Sequence, residues 1–266
     1  MKKYLALALL ACTHVQAHAP YVAPLAYMTD NTQITVLSAY AEQALQPEYA
    51  LKDIQFSITQ PDQAQLTAQP QPGLKSAAAF DLKLPEKGTY TLYAKASRPL
   101  QYVQHNKQWK IFADLAADKV PALSERDFVI PGDFKGKPPK KLDTVREWSI
   151  QSYVSKGAAS AVAVTPAPIQ VSFQTHPNEI QAQRPVQLQL SKAGKPLAQA
   201  EVLIRAQGAS EQQAQSAAVN ADGTASVTFP QAGSYLLEVS EANDPKATPK
   251  NQHYTIISLG VTAPAS

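Results

Sequence analysis

One nine-residue pattern occurs twice in this chain, and no other feature limits the fold as strongly. The copies are Leu84-Pro85-Glu86-Lys87-Gly88-Thr89-Tyr90-Thr91-Leu92 and Phe229-Pro230-Gln231-Ala232-Gly233-Ser234-Tyr235-Leu236-Leu237. Both read apolar-Pro-x-x-Gly-x-Tyr-x-Leu. Proline and glycine make a tight turn, and the alternation that follows is that of a strand with one face on a core. A tyrosine entering a strand from such a turn bonds its hydroxyl back to the backbone of the corner, an arrangement of paired-sheet domains. Two copies therefore imply two such units.

Each corner has matching strands before it. Gln33 to Tyr40 and Asp53 to Thr59 alternate at period two in the first half, and Val186 to Leu190 and Glu201 to Ala206 do so in the second. Ser191 to Leu197 reads as a turn, and Asn220-Ala221-Asp222-Gly223 as a hairpin turn before Thr224 to Phe229. Val145 to Val154 and Tyr254 to Leu259 are further strands, and few stretches sustain a helical period. The expectation is an all-β chain: two immunoglobulin-like β-sandwich domains in tandem, of the transthyretin or Cna-B kind. The first spans 18–165 with a long insertion at 101–150, the second 166–266, and Ala158 to Pro168 links them. Within the insertion, Lys135-Gly136-Lys137-Pro138-Pro139-Lys140-Lys141 reads as an exposed loop or a basic docking patch.

Residues 1–17 read as a signal peptide. Lys2 and Lys3 precede the apolar run Tyr4 to Ala11, and Val15 and Ala17 suit the −3 and −1 positions of a cleavage site. Cleavage there delivers the chain to the periplasm. Leu9-Leu10-Ala11-Cys12 loosely resembles a lipobox, but the segment before Cys12 is short for that route, so cleavage after Ala17 is the expectation over an anchor on Cys12. Removal of the signal takes two lysines and no acid from a total of 24 basic and 21 acidic residues. The near-neutral remainder has no electrostatic footprint for nucleic acid. Nor does any later apolar run approach the ~20 residues of a membrane-spanning helix. Cys12 is the only cysteine, so the mature chain forms no internal disulfide and stability rests on packing.

The new first residue would be His18. Its α-amine, with a pKa of about 8, gives up a proton to a metal far more readily than a lysine does. Amine and imidazole together make a chelate. The mature histidines are His18, His105, His176 and His253, and Met28 is the only mature methionine. Imidazole without thiol or thioether suits nickel, cobalt or zinc better than a soft copper(I) site. No histidine occupies the third mature position, so ligands beyond His18 must be brought in by folding. His176 at the entrance to the second domain and Glu42 are the candidates. His176 either completes a metal site with His18 or bonds the backbone of its own turn, since Asn178 beside it is a turn residue. His105 and His253 read as surface or packed side chains. Tyr21, Tyr27, Tyr40, Tyr49, Trp109 and Trp148 are either core anchors or a binding face for sugar or peptide. No nucleophile elbow, phosphate-cradling glycine run or inferable carboxylate pair is present, and the chain does not read as an enzyme.

The ordered set His18-Ala19-Pro20-Tyr21-Val22, Ser38-Ala39-Tyr40-Ala41-Glu42, the first corner, Ser152 to Gly157, Thr175-His176-Pro177-Asn178-Glu179-Ile180, Gly194 to Val202 and Asp222-Gly223 resembles a bacterial periplasmic family. That family is labelled as a nickel-uptake substrate-specific region, or periplasmic component of cobalt transport, and the resemblance spans the mature chain. It implies a periplasmic protein that binds a divalent transition metal and assists its uptake or handling. An inner-membrane metal transporter or an outer-membrane receptor would be its partner. The alternative expectation is a non-catalytic adaptor for an envelope transporter, receptor or polymer.

Overall fold

The computed structural model describes residues 19–264 apart from Pro72, Gly73, Pro138 and Pro245. The signal segment, Cys12 and His18 lie outside the described residues. The strands of the first half are β1 (Ala19–Pro24), β2 (Met28–Thr29), β3 (Gln33–Ala41), β4 (Tyr49–Ala50), β5 (Phe56–Thr59), β6 (Gln65–Ala68), β7 (Ala78–Lys83), β8 (Gly88–His105), β9 (Gln108–Phe112), β10 (Phe128–Val129) and β11 (Leu142–Lys156). Those of the second are β12 (Ile169–Phe173), β13 (Pro185–Lys192), β14 (Lys195–Pro196), β15 (Ala200–Ala206), β16 (Gln215–Ala217), β17 (Thr224–Thr228), β18 (Gly233–Glu241) and β19 (Gln252–Val261). The only helical pieces among the described residues are four 3-10 turns. The chain is all-β.

Both corners form as the pattern requires. Tyr90 donates its hydroxyl to the Glu86 carbonyl at 2.9 Å, and Tyr235 donates to the Gln231 carbonyl at 2.8 Å. Each hydroxyl also accepts the N–H of that same residue. Tyr90 and Leu92 then enter one buried cluster, and Tyr235 and Leu237 another. The Asn220–Gly223 turn needs its glycine. With φ at +77° and a notional Cβ only 2.5 Å from the Leu190 carbonyl oxygen, no other residue fits without a shift.

Two small sheets flank one large one. β1, β3, β4 and β7 form the first small sheet and β12, β13, β14 and β17 the second. The large sheet runs β10-β9-β8-β11-β19-β18-β15-β16, with β2, β5 and β6 joined to it. Its spine is an antiparallel ladder between β8 and β11, fifteen residue pairs long from Leu142–Tyr102 to Lys156–Gly88. The sequence reading sets two sandwiches end to end; the structure joins them through this sheet. The join is a parallel pairing of β11 with β19, from Arg146–Gln252 to Ser152–Ser258.

Because side chains alternate along a strand, the two cores lie on opposite faces of the shared sheet. Leu92, Ile150, Ile256 and Leu236 point to the β1–β3–β4–β7 side and pack with Tyr21, Val36 and Phe56. Tyr153, Ile257, Leu237 and Val202 point to the other side and pack with Ile169, Leu188 and Phe229. Ser258 Oγ on β19 lies within hydrogen-bond reach of both the Val22 carbonyl and Ser152 Oγ, tying β1 to the join. The insertion carries a small cluster of its own, Val103, Phe112 and Val129.

Candidate functional site

The described chain begins at the end of the first sandwich that carries Glu42. Ala19 opens β1 paired with Ala41, the last residue of β3, and Pro20 is paired with Tyr40. Glu42 follows directly and is half-buried. Its N–H donates to the Glu48 carboxylate at 2.7 Å, and the Glu48 N–H donates to the Tyr40 carbonyl at 3.0 Å. Glu42 thus follows the strand end that pairs with the start of β1, and Glu48 approaches it from the β4 side of β3.

This loop is clamped onto the second half of the molecule. Arg205 donates through Nη1 to the Glu42 carbonyl at 3.1 Å and pairs through Nη2 with Glu238 at 3.5 Å. The backbone of Ala44 bonds in both directions to the β15–β16 connection, donating to the Ala209 carbonyl and accepting from the Gly208 N–H. Leu45, with φ at +59°, holds a strained conformation that its burial stabilises. Burial pushes the Glu238 carboxyl up to about 7 against the opposing pull of Arg205 and the weaker pull of Arg146. Sequence reading misses this pair, because nothing local marks Glu238 as covered.

His176 sits elsewhere, on the other face of the shared sheet. Its Nδ1 accepts the Asn178 N–H at 3.1 Å, so Nε2 carries the proton and donates to the Ser160 carbonyl at 2.9 Å. Nε2 also lies 3.1 Å from Thr89 Oγ1. Asn178 extends the cluster, donating through Nδ2 to Ser155 Oγ and to the Tyr27 carbonyl. Thr89 and Ser155 point away from the Tyr90 and Val154 side, whose core includes Ala41 and Ala44 on either side of Glu42. Glu42 and His176 are not brought together, and both ring nitrogens of His176 are occupied by the backbone. Among the described residues no group of three His, Cys, Asp or Glu side chains is placed to hold a metal.

The remaining candidates have packing roles. His105 ends β8 in edge-to-face contact with Phe134, and the hairpin turn after it uses Asn106 and Lys107 at φ of +51° and +65°. His253 joins Lys192, Glu241 and Lys250 in an ion-pair network, with Lys192 Nζ 2.5 Å from Glu241 and 3.2 Å from His253 Nδ1. Tyr21 and Trp148 lie in the core, whereas Tyr49 is exposed, so the aromatics do not make one binding face. Three open clefts, of about 320, 350 and 630 Å³, each contain a single carboxylate: Asp53, Asp133 and Asp114 respectively. Paired-carboxylate hydrolysis has no footing in these clefts. No helix among the described residues is long and apolar enough to cross a membrane.

Among solved structures the chain is similar to a tetra-tandem repeat from the extending region of a large adhesion protein, with 13% identity over 91% of this chain and 49% of that one and a TM-score of 0.23. It is also similar to the FN1–FN3 domains of chicken CNTN1, with 12% identity over 91% of this chain and 65% of that one and a TM-score of 0.26. A two-domain fibronectin type-III segment of chicken tenascin follows at 10% identity, covering 91% and 99% with a TM-score of 0.22. The chain thus spans about half the length of the adhesion-protein structure and about two thirds of the CNTN1 structure. Likenesses this distant say nothing of function. No curated protein matches. A family model matches residues 15–242, and the chain belongs to that family, described as a domain of unknown function, DUF4198.

Proposed function

We propose that the mature chain begins at His18 and binds a divalent transition metal, nickel or cobalt with zinc as a third candidate, assisting its uptake or handling in the bacterial periplasm. One observation carries the reading. Ala19, the residue after His18, is paired with Ala41, the residue before Glu42, and the same register continued by one residue would set His18 opposite Glu42. The α-amine and imidazole of His18 supply two nitrogen donors, Glu42 supplies oxygen and charge, and water completes the shell. This set is hard to borderline, as nickel, cobalt and zinc prefer. His176 has no part in it, because its ring nitrogens hold the second half's entry turn. Residues 1–17 supply the route to the periplasm, and an inner-membrane transporter or outer-membrane receptor is the destination of the metal.

The test is native mass spectrometry and calorimetry on protein whose first residue is His18. A single nickel or cobalt should bind to the native chain. It should be lost in His18→Ala and in a chain extended by one residue, which blocks the amine, and weakened in Glu42→Gln. Affinity unchanged in His18→Ala sinks the proposal. The second reading, a non-catalytic adaptor, draws on the 630 Å³ cleft in which Lys137, Lys140 and Lys141 stand around Phe112. No metal adduct in any form of the protein would make that the better account.

A further inference from the structure

One rung of the shared sheet is unlike its neighbours. On the face under β1–β3–β4–β7, successive pairs between β8 and β11 are Ala94–Ile150, Ala96–Trp148, Arg98–Arg146 and Leu100–Thr144. Ile150, Trp148, Leu100 and Thr144 are buried, while Arg98 is exposed and Arg146 half-buried. Charge is thus left open between rungs that are covered. Like charges directly opposite one another across an antiparallel pair destabilise it. Two other cations on the shared sheet pair with carboxylates: Lys95 with Glu147, and Arg205 with Glu238. Among the described residues neither Arg98 nor Arg146 has a carboxylate within 4.0 Å.

The rung is also held in place. Arg146 Nε donates to Gln252 Oε1 at 3.0 Å, and its guanidinium carbon lies 5.6 Å from the Tyr254 ring centre. The Tyr254 hydroxyl donates to the same Gln252 oxygen at 3.4 Å, and its ring packs on Trp148 at 6.3 Å. With Nε committed, the two Nη groups of Arg146 remain as donors for an incoming oxyanion. Tyr40 reaches from β3 to within the electrostatic influence of Arg98. The acids that act on this region are Glu238, already paired with Arg205, together with Glu211, which acts on Glu238, and Glu201, which acts on Glu238 and Tyr254. None of them is paired with Arg98 or Arg146.

We propose that Arg98 and Arg146 form an anion site for a small organic carboxylate, with the Tyr254 ring beside Arg146. The planar carboxylate matches the guanidinium geometry, and the neighbouring ring suits an organic body rather than a bare ion. Tyr40, which feels the Arg98 charge, is paired with Pro20, two residues along the chain from His18. The carboxylate therefore arrives either free or as part of the shell of a bound metal; only the second case rests on the metal reading.

Calorimetry at low salt with citrate, inorganic phosphate and nickel citrate, on the chain beginning at His18, tests this. Citrate should bind the native protein one-to-one and more tightly than phosphate, and lose about tenfold or more in Arg98→Gln and in Arg146→Gln, as expected for a lost charged hydrogen-bonding partner. Arg98→Gln should keep or raise the melting temperature, since it relieves the repulsion, so weaker binding cannot be ascribed to unfolding. Lys137→Gln/Lys140→Gln should leave citrate affinity unchanged. Failure of citrate to bind, or native affinity retained in both arginine variants, overturns the anion site. If citrate binding depends on the arginines but nickel adds nothing to it and His18→Ala changes nothing, the anion site stands and the metal reading falls.

Discussion

At Glu238 a largely buried carboxyl group meets at 3.5 Å the guanidinium of Arg205, which also bonds the loop after β3. Its folded pKa of about 7 lies above the ordinary 4.5, so the folded state holds this proton more tightly than the unfolded chain does. The contribution to stability is then full below pH 4.5 and is lost as pH rises toward 7. The span of that loss is at most about 3 kcal/mol, at ~1.4 kcal/mol per pH unit of displacement. Glu238→Gln keeps a neutral group that still accepts from Arg205, so its stability lacks this slope. Urea denaturation at pH 5 to 8 should show the variant gaining on the native protein as pH rises; a gap that stays flat sinks the argument. The residue scale is also where sequence and structure part most sharply. The roles of Tyr90 and Tyr235 were legible, because each corner is written within nine residues. Those of Glu238, Arg98 and Arg146 were not, because burial and opposition arise from strands far apart in the chain.

Among elements, the connection between β11 and β12 shows how a segment without regular structure is fixed. Ser160 and Thr89 exchange two bonds, the Ser160 N–H to Thr89 Oγ1 at 2.9 Å and the Thr89 N–H to Ser160 Oγ at 2.8 Å. The Ala163 N–H adds a third, to Thr91 Oγ1. His176 closes the cluster by donating to the Ser160 carbonyl while its other nitrogen accepts from the entry turn of the second half. His176→Ala strands the half-buried Ser160 carbonyl and the Asn178 N–H together, which costs at most about 1–3 kcal/mol. The expected result is a lower urea midpoint with nickel affinity unchanged; a variant of native stability that has lost metal would return His176 to the ligand set. The strands themselves were readable because period-two alternation is local, and β3, β13 and β15 fall within a residue or two of the alternating runs. The connection read only as a linker, because Ser160 meets Thr89 across 71 residues of chain and no spacing announces it.

For the whole molecule, the parallel pairing of β11 with β19 decides whether the halves are independent. Every pair in that register joins residues 106 apart, from Arg146–Gln252 to Ser152–Ser258. Cutting the chain at residue 165 would expose this edge of β11 and remove Leu236 and Ile256 from the first core. An apolar strand with unpaired backbone groups is both unstable and prone to associate. The repeated corner shows why sequence suggests two units: each corner carries its own sandwich, and nothing in either copy records the strand that joins them. Shared strands make the two cores one cooperative system, so calorimetric unfolding of the mature chain should be a single transition with matching calorimetric and van't Hoff enthalpies. The fragment 18–165 should be unfolded or aggregated when produced alone. Two resolved transitions, or a well-dispersed NMR spectrum from that fragment, would mean that the halves fold separately and the β11–β19 join forms only on docking. The pairing of Ala19 with Ala41 beside Glu42 would then depend on the first half alone, whereas Arg146, held by Gln252 and Tyr254, would depend on the join. Citrate binding would be lost with the second half, and metal binding would survive in the fragment.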